Sequence, residues 1–527
     1  MFRRGGNLLS VVLALALCTT CGMNGPRKLN LVVIALDTLR PDHLGCYGYS
    51  RATSPNIDAW AKNAVVFENA QSAAPWTAPS LLSLMTSLYP EVHGVVRFPD
   101  PGQMSGNVTT LAEFLKQSGY RTAAFTDGGY AKPQFGLKQG FDYYPLNKDD
   151  GPHEHASNIA HPDRIKNNLE RTLVWLEEHG DDPFFLFFHT YQIHAPYCPP
   201  AQYVTPFRPG YDEASEHARL AEVIQHWVSA REIDAAGVRL ILAHQEHCLQ
   251  PGDPAYFGLP AKMKEFGIGS LDPDRMQFWR DMYDGEIAYT DSQLKRLLDE
   301  LEKPELRDNT VVVFVSDHGE GFGEHGTTQH GSVLLEEDLH VLFMLRAPGV
   351  APHRVKDLVR SIDMMPTTLE LLGSAFERTR LQGRSLVPLL RGESLPPVPS
   401  FSHANNKNGR EASGFSIRDG KWRLVIDRDQ QTSQLYDLES DPLELSDVAA
   451  QNPKIAERLQ GLLNAQRDLD ADLFKRVSGP VGDYVFDKDT EDELRRIGYL
   501  GDGPPPKRED PKTAPPGDKK PDEPVKQ

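Results

Sequence analysis

Long apolar runs that stop abruptly on acids set the frame of this chain. Leu29–Leu36 (Leu-Asn-Leu-Val-Val-Ile-Ala-Leu) ends at Asp37, and Val311–Val315 (Val-Val-Val-Phe-Val) ends at Ser316-Asp317. Neither run alternates apolar with polar residues, so each reads as a strand buried on both faces of a parallel sheet. Val65–Phe67, Arg121–Thr126 and Phe184–Phe188 are shorter runs of the same kind. Between them apolar residues recur at helical spacing. Ile57, Trp60, Ala61 and Ala64 form one face; Leu111, Phe114 and Leu115 form another, closed by Gly119; Ile165, Leu169, Leu173 and Leu176 form a third, closed by Gly180. A long helix is expected over Phe278–Leu301. Strands alternating with helices predict βαβ units, hence an α/β fold with a large, mostly parallel sheet flanked by helices.

The texture changes near Pro399. Gly414–Arg418, Lys421–Asp427 and Gln434–Leu438 read as short strands joined by polar turns, which predicts a small C-terminal antiparallel α+β subdomain over 399–475. The main domain is expected over 27–398. It is interrupted from about 199 to 273 by a stretch without a strand period, read as a helical insertion and candidate lid. Residues 501–527 are Pro, Lys, Asp and Glu with almost nothing apolar; they cannot bury a core and are expected to be disordered.

In open α/β sheets, ligands bind beyond the carboxyl ends of the strands. Asp317-His318 leave such an end in a loop freed by Gly319 and Gly321, with His325 and His330 following. Acid and imidazole together suit a divalent metal that accepts oxygen and nitrogen ligands; the alternative is a glycine-rich turn carrying solvated side chains. Asp37 breaks the tie, because a second strand far away in the chain delivers a carboxylate to the same edge. A third polar cluster, His189 to Tyr197, follows Phe184–Phe188. Thr77-Ala78-Pro79-Ser80 precedes the apolar run from Leu81, which marks a helix N-terminus. Its free N–H groups suit an anion, or Thr77 or Ser80 is a plain N-cap.

Composition narrows the partners. With 39% hydrophobic and 25% charged residues the chain is an ordinary globular protein. A formal net charge of -18 and the lack of any basic cluster disfavour a nucleic-acid binder, which needs a basic footprint. Arg3-Arg4 before the apolar Leu8–Leu17 read as a signal peptide over residues 1–21. The run is too short to span a bilayer. Export to the periplasm or outer cell envelope is expected, with a lipid anchor at Cys18 or Cys21 or an uncleaved anchor as variants. Cys46, Cys198 and Cys248 then remain, allowing at most one internal disulfide. The oligomeric state is not legible.

Several segments, in order, resemble the sulfatase branch of the alkaline-phosphatase superfamily. They are Asp37-Thr38-Leu39-Arg40-Pro41-Asp42-His43-Leu44-Gly45, Thr53-Ser54-Pro55-Asn56-Ile57-Asp58, Thr77-Ala78-Pro79-Ser80 with Tyr89-Pro90 and His93-Gly94, His194-Ala195-Pro196, and Ser316-Asp317-His318-Gly319-Glu320. Leu435-Tyr436-Asp437-Leu438 with Asp441-Pro442 resembles the family's small C-terminal subdomain. The resemblance implies hydrolysis of sulfate or phosphate esters with one bound divalent cation, calcium first, with magnesium, manganese and zinc open. It implies Asp37, Asp317 and His318 as metal ligands, Thr77 at the nucleophile position beside the metal, His194 as a contact to the substrate's anionic group, and His330 near the ester oxygen.

The window at the nucleophile departs from the family's pattern. Sulfatases carry Cys or Ser there, oxidised to formylglycine within Cys/Ser-x-Pro-x-Arg; this chain reads Thr77-Ala78-Pro79-Ser80-Leu81. Thr38 replaces the acid that usually follows the first ligand. The expected chemistry shifts accordingly: a threonine hydroxyl attacks phosphorus or sulfur when a metal lowers its pKa. The substrate is then an anionic ester, a glycan or a small molecule. The alternative from another class is a non-catalytic fold that binds a sulfated or phosphorylated glycan.

Overall fold

The strand β1 (Asn30–Leu36) is flanked on both sides by parallel partners, β4 (Phe184–Thr190) and β5 (Thr310–Val315). In the computed structural model, residues 28–97, 101–145, 164–195, 197–212, 273–326, 328–331, 333–404, 414–478 and 490 are described. The leader, the tail and residues 213–272 of the insertion lie outside them. Ahead of that gap, Ala201–Val204 forms a short helical turn.

The remaining strands of the large sheet are β2 (Val65–Gln71), β3 (Arg121–Phe125), β9 (Phe343–Arg346) and β10 (His353–Arg360), in the order β10-β2-β9-β5-β1-β4-β3. A two-residue strand, β8 (His340–Val341), also pairs with β2, while β6 (Gly321–Phe322) and β7 (Thr328–Gln329) pair with each other outside this sheet. Only β8 and β9 run antiparallel to their neighbours, so the sheet is mixed but mostly parallel. Inside it, side chains alternate between two cores. Leu31, Val33 and Ala35 pack with Phe185, Phe187, Val311 and Val313 on one face. Val32, Ile34 and Leu36 pack with Phe184, Leu186, Phe188, Val312 and Phe314 on the other. Full burial of each such side chain contributes about 1.5–3 kcal/mol, which explains why these strands carry no polar face.

Strand register sets where the acids emerge. Ala35 lies opposite both His189 and Val315, so Asp37 and Asp317, each two residues further on, leave the sheet at the same height. The long helix runs over Pro273–Leu301, starting earlier than its apolar periodicity predicts. No helix among the described residues is long and apolar enough to cross a membrane.

The small sheet is an antiparallel meander of β11 (Ser400–Ala404), β12 (Gly414–Asp419), β13 (Trp422–Asp427) and β14 (Thr432–Asp437). The helix Pro453–Val477 covers it, and Leu459 and Leu463 pack with Phe401, Phe415, Ile417, Leu424 and Leu435. Ala73, Tyr89 and Ile362 of the large domain complete that core. Cys46 keeps a free thiol, while Cys198 is disulfide-bonded.

Candidate active site

Asp37 and Asp317 are solvent-inaccessible, and each keeps one carboxylate oxygen, Asp37 Oδ1 and Asp317 Oδ2, without a hydrogen-bond partner. Burial, and next the neighbouring Asp317, push the Asp37 pKa well above the usual carboxylate range. Two buried carboxylates with orphaned oxygens are costly unless a cation lies between them. The residues around them are built to receive one. His318 Nδ1 lies 2.9 Å from the Gly319 carbonyl. A carbonyl only accepts, so Nδ1 carries the proton and Nε2 presents its lone pair. That nitrogen lies 3.5 Å from Asp317 Oδ2 and 3.9 Å from Asp37 Oδ1. His189, at the end of β4, brings its Nε2 to 3.2 Å from Asp37 Oδ2. One ligand atom from each of Asp37, His189 and Asp317 falls within 4.8 Å of the others. The donor set fits a divalent metal ion.

Thr77 opens the helix Thr77–Thr86, directly beside these acids. Its Oγ1 lies 3.3 Å from Asp37 Oδ2 and 3.3 Å from His318 Nε2. The capping alternative is not what the structure shows. Trp76 occupies the N-cap position with no side-chain cap bond, and the Ser80 hydroxyl donates back to the Trp76 and Thr77 carbonyls. Leu81, standing where the family carries arginine, is fully buried in the apolar core, so no guanidinium enters the site from that position.

His194 and His330 also arrive here. Their rings meet edge-on with centroids 4.9 Å apart, and His330 lies 4.3 Å from the His318 ring. Burial, then the neighbouring His318, hold the His330 pKa well below its usual value. Glu320 anchors this side: its Oε1 lies 3.1 Å from His330 Nδ1 and its Oε2 accepts from the Tyr197 hydroxyl at 2.8 Å. The structure thus brings together Asp37, Thr77, Asp317, His318, His194 and His330.

The sequence singled out the cluster His189 to Tyr197 and the motif ending at Glu320 but gave no role to His189, to Glu320 or to Tyr191, whose ring packs edge-on against both His189 and His194. The signal for His189 was its place at the carboxyl end of a strand. For Glu320 it was the shared loop with Asp317 and His318. Asp127, by contrast, is turned to the scaffold, accepting from the Thr190 hydroxyl and the Tyr191 amide at 2.6 and 2.8 Å.

The family model described as Sulfatase matches residues 29–374. This chain belongs to the sulfatase family. Membership makes it a hydrolase of sulfuric or phosphoric esters. A second model, N-sulphoglucosamine sulphohydrolase, C-terminal, matches residues 323–469 of this sulfatase-family protein. Choline-sulfatase of Rhizobium meliloti (strain 1021) is 25% identical over 478 residues, covering 84% of this chain and 86% of that protein. The phosphonate monoester hydrolase of Agrobacterium radiobacter shares the fold with TM-score 0.63 at 21% identity, covering 84% of this chain and 96% of the other. A solved complex with the substrate D-glucosamine-2-N, 6-O-disulfate does so with TM-score 0.63 at 21% identity, over 85% and 99%.

Proposed function

We propose that this protein hydrolyses sulfate or phosphate esters through Thr77 as covalent nucleophile, beside a divalent cation held by Asp37, His189, Asp317 and His318. The observation that carries this reading is the position of Thr77 Oγ1, 3.3 Å from both Asp37 Oδ2 and His318 Nε2. Both neighbours are acceptors, yet the hydroxyl has one proton. It donates to Asp37, which leaves its own lone pair facing that of His318, a repulsion that a bound cation would relieve. When bound, the cation lowers the hydroxyl's pKa and neutralises charge on the ester anion.

Thr77 Oγ1 then passes its proton to Asp37 Oδ2, the acceptor it faces, and forms a bond to phosphorus or sulfur while the bond to the ester oxygen breaks. The leaving oxygen keeps the electron pair and takes a proton from the side of His194, which the neutral His330 ring packs against. The positive end of the helix Thr77–Thr86 favours the anion over the neutral product. Water releases the anion from Thr77 in a second displacement. With His189 counted, imidazoles make up half of the four protein ligands, which favours zinc or manganese over calcium. Choline-sulfatase and the disulfated glucosamine complex support a sulfated small molecule or sugar as substrate, and the phosphonate monoester hydrolase supports a phosphorus ester.

The test is turnover of an aryl sulfate, an aryl phosphate and a phosphodiester with each metal, in the parent, Thr77→Ser and Thr77→Ala. The expected result is turnover that survives in serine and vanishes in alanine. Full activity of the alanine variant removes Thr77 from the reaction. Metal binding with no turnover of any ester supports the non-catalytic, ester-binding reading.

A further inference from the structure

A second constellation lies away from the active site, where the small sheet meets the large domain. Glu91 comes from the helix Pro90–His93, His403 from β11 and Asp470 from the helix Pro453–Val477. One ligand atom from each lies within 4.8 Å of the others. Three elements remote in sequence converge on one point.

The side chains there are unsatisfied in a particular way. His403 is 2% exposed and neither ring nitrogen has a hydrogen-bond partner; its nearest acid is Glu91, with Oε2 3.6 Å from Nδ1. The ring is held between Tyr89, stacked at 5.7 Å and 16°, and the edge of Phe415 at 5.5 Å. Asp470 is fully buried. Its Oδ1 accepts from the Gln382 and Gln466 amides at 2.6 and 2.7 Å, while its Oδ2 has no partner. Those two amides orient a carboxylate whose other oxygen stays bare, the pattern of groups that position a metal ligand. Burial holds the Asp470 pKa above the usual range, so without a cation the site resists charging.

We infer that Glu91, His403 and Asp470 form a zinc site that ties the C-terminal sheet and its helix to the large domain. One imidazole and two carboxylates, with a fourth position open to water beside the half-buried Glu91, match zinc's preference for four ligands of mixed nitrogen and oxygen. Calcium asks for six or more oxygens, which this pocket does not offer. Arg467, with its guanidinium 4.4 Å from the Phe415 ring centroid, has its Nε 3.4 Å from Glu91 Oε2, the oxygen that also faces His403, so an ion there would share the Glu91 carboxylate with a guanidinium.

The experiment is zinc per chain, measured on full-length protein after chelator treatment and dialysis against zinc chloride. It is run on the parent, Asp37→Asn, Asp470→Asn and the double variant, with Tm read in each state. Asp470→Asn is nearly isosteric and is the decisive variant; His403→Ala accompanies it. The site predicts one ion fewer per chain in Asp470→Asn than in the parent, the same difference within the Asp37→Asn background, and loss of part of the zinc-induced rise in Tm. Equal zinc and an unchanged Tm response in Asp470→Asn overturn it and leave a plain imidazole–carboxylate ion pair. Failure of the active-site metal would show separately, as unchanged zinc in Asp37→Asn.

Discussion

The backbone N–H of Thr38 donates to Asp317 Oδ1 at 3.3 Å, joining the ends of β1 and β5. It does so from a left-handed backbone, φ 57°, which a β-branched residue rarely adopts. Strain of about 1–3 kcal/mol is stored there. It is offset by the Thr38 hydroxyl, which donates to the Asp37 carbonyl at 2.7 Å, and by the Tyr283 hydroxyl, which donates to the Thr38 carbonyl at 2.7 Å. The turn keeps the two acids side by side.

Thr38→Asp restores the carboxylate that the family usually carries. Aspartate tolerates the left-handed conformation better than threonine, but it adds a further carboxylate beside Asp37, which burial already makes hard to charge. The metal-free variant is therefore expected to melt below the parent, and its Tm to rise further on adding divalent metal. Calorimetry with and without chelator decides it. A variant that is destabilised equally in both states would mean that position 38 does not sense the metal.

Gly319 is where the loop bearing His318 passes closest to another backbone. A Cβ there would overlap the Glu337 carbonyl oxygen. Gly319→Ala is expected to cost about 1–3 kcal/mol of stability, as overpacking does, and to swing His318 away from Asp37. Metal affinity and kcat should fall together. Wild-type metal binding in that variant would show that the loop relaxes without moving His318.

Much of this arrangement was legible in the chain, for identifiable reasons. Leu29–Leu36 and Val311–Val315 announced buried strands because both faces are apolar, and each ended on its acid within a residue or two. What the sequence does not display is register. That Ala35 faces both His189 and Val315 is settled by packing between strands far apart in the chain, and only that alignment makes His189 a candidate ligand. Trp76 at the N-cap of the helix Thr77–Thr86 was equally hidden, since indole has no capping signature. The cluster of Glu91, His403 and Asp470 draws on three segments with no shared spacing, so no motif could reveal it.

Glu320 positions His330, whose ring packs against His194 on the proposed leaving-oxygen side. Its two oxygens serve His330 and Tyr197 separately, so Glu320→Gln exchanges one acceptor for a donor and lets His330 turn. Orienting groups of this kind are worth about 10–100-fold in activity. The expected result is a fall in kcat of that order with metal content unchanged and with a smaller loss on esters whose leaving groups need no proton. An equal loss on good and poor leaving groups would assign Glu320 to substrate binding instead.

His93 makes the helix Thr77–Thr86 sensitive to acid. The Val95 N–H donates to its Nδ1 at 3.2 Å, so Nε2 carries the proton and donates to the Ser83 hydroxyl at 3.1 Å. The neutral ring is fully buried, and burial pushes its pKa down from 6.5 to about 3. Below pH 6.5 the unfolded chain takes up a proton that the folded chain refuses. Stability is therefore full above that pH and falls as the pH drops towards 3, by up to about 1.4 kcal/mol per unit. His93→Gln keeps a donor for Ser83 and removes the titration. Urea unfolding from pH 7.5 down to 4 should show the variant less stable at the upper end but with a shallower acid slope. Parallel slopes would mean that the histidine is already charged in the fold, with both ring nitrogens protonated and no lone pair left to accept from Val95.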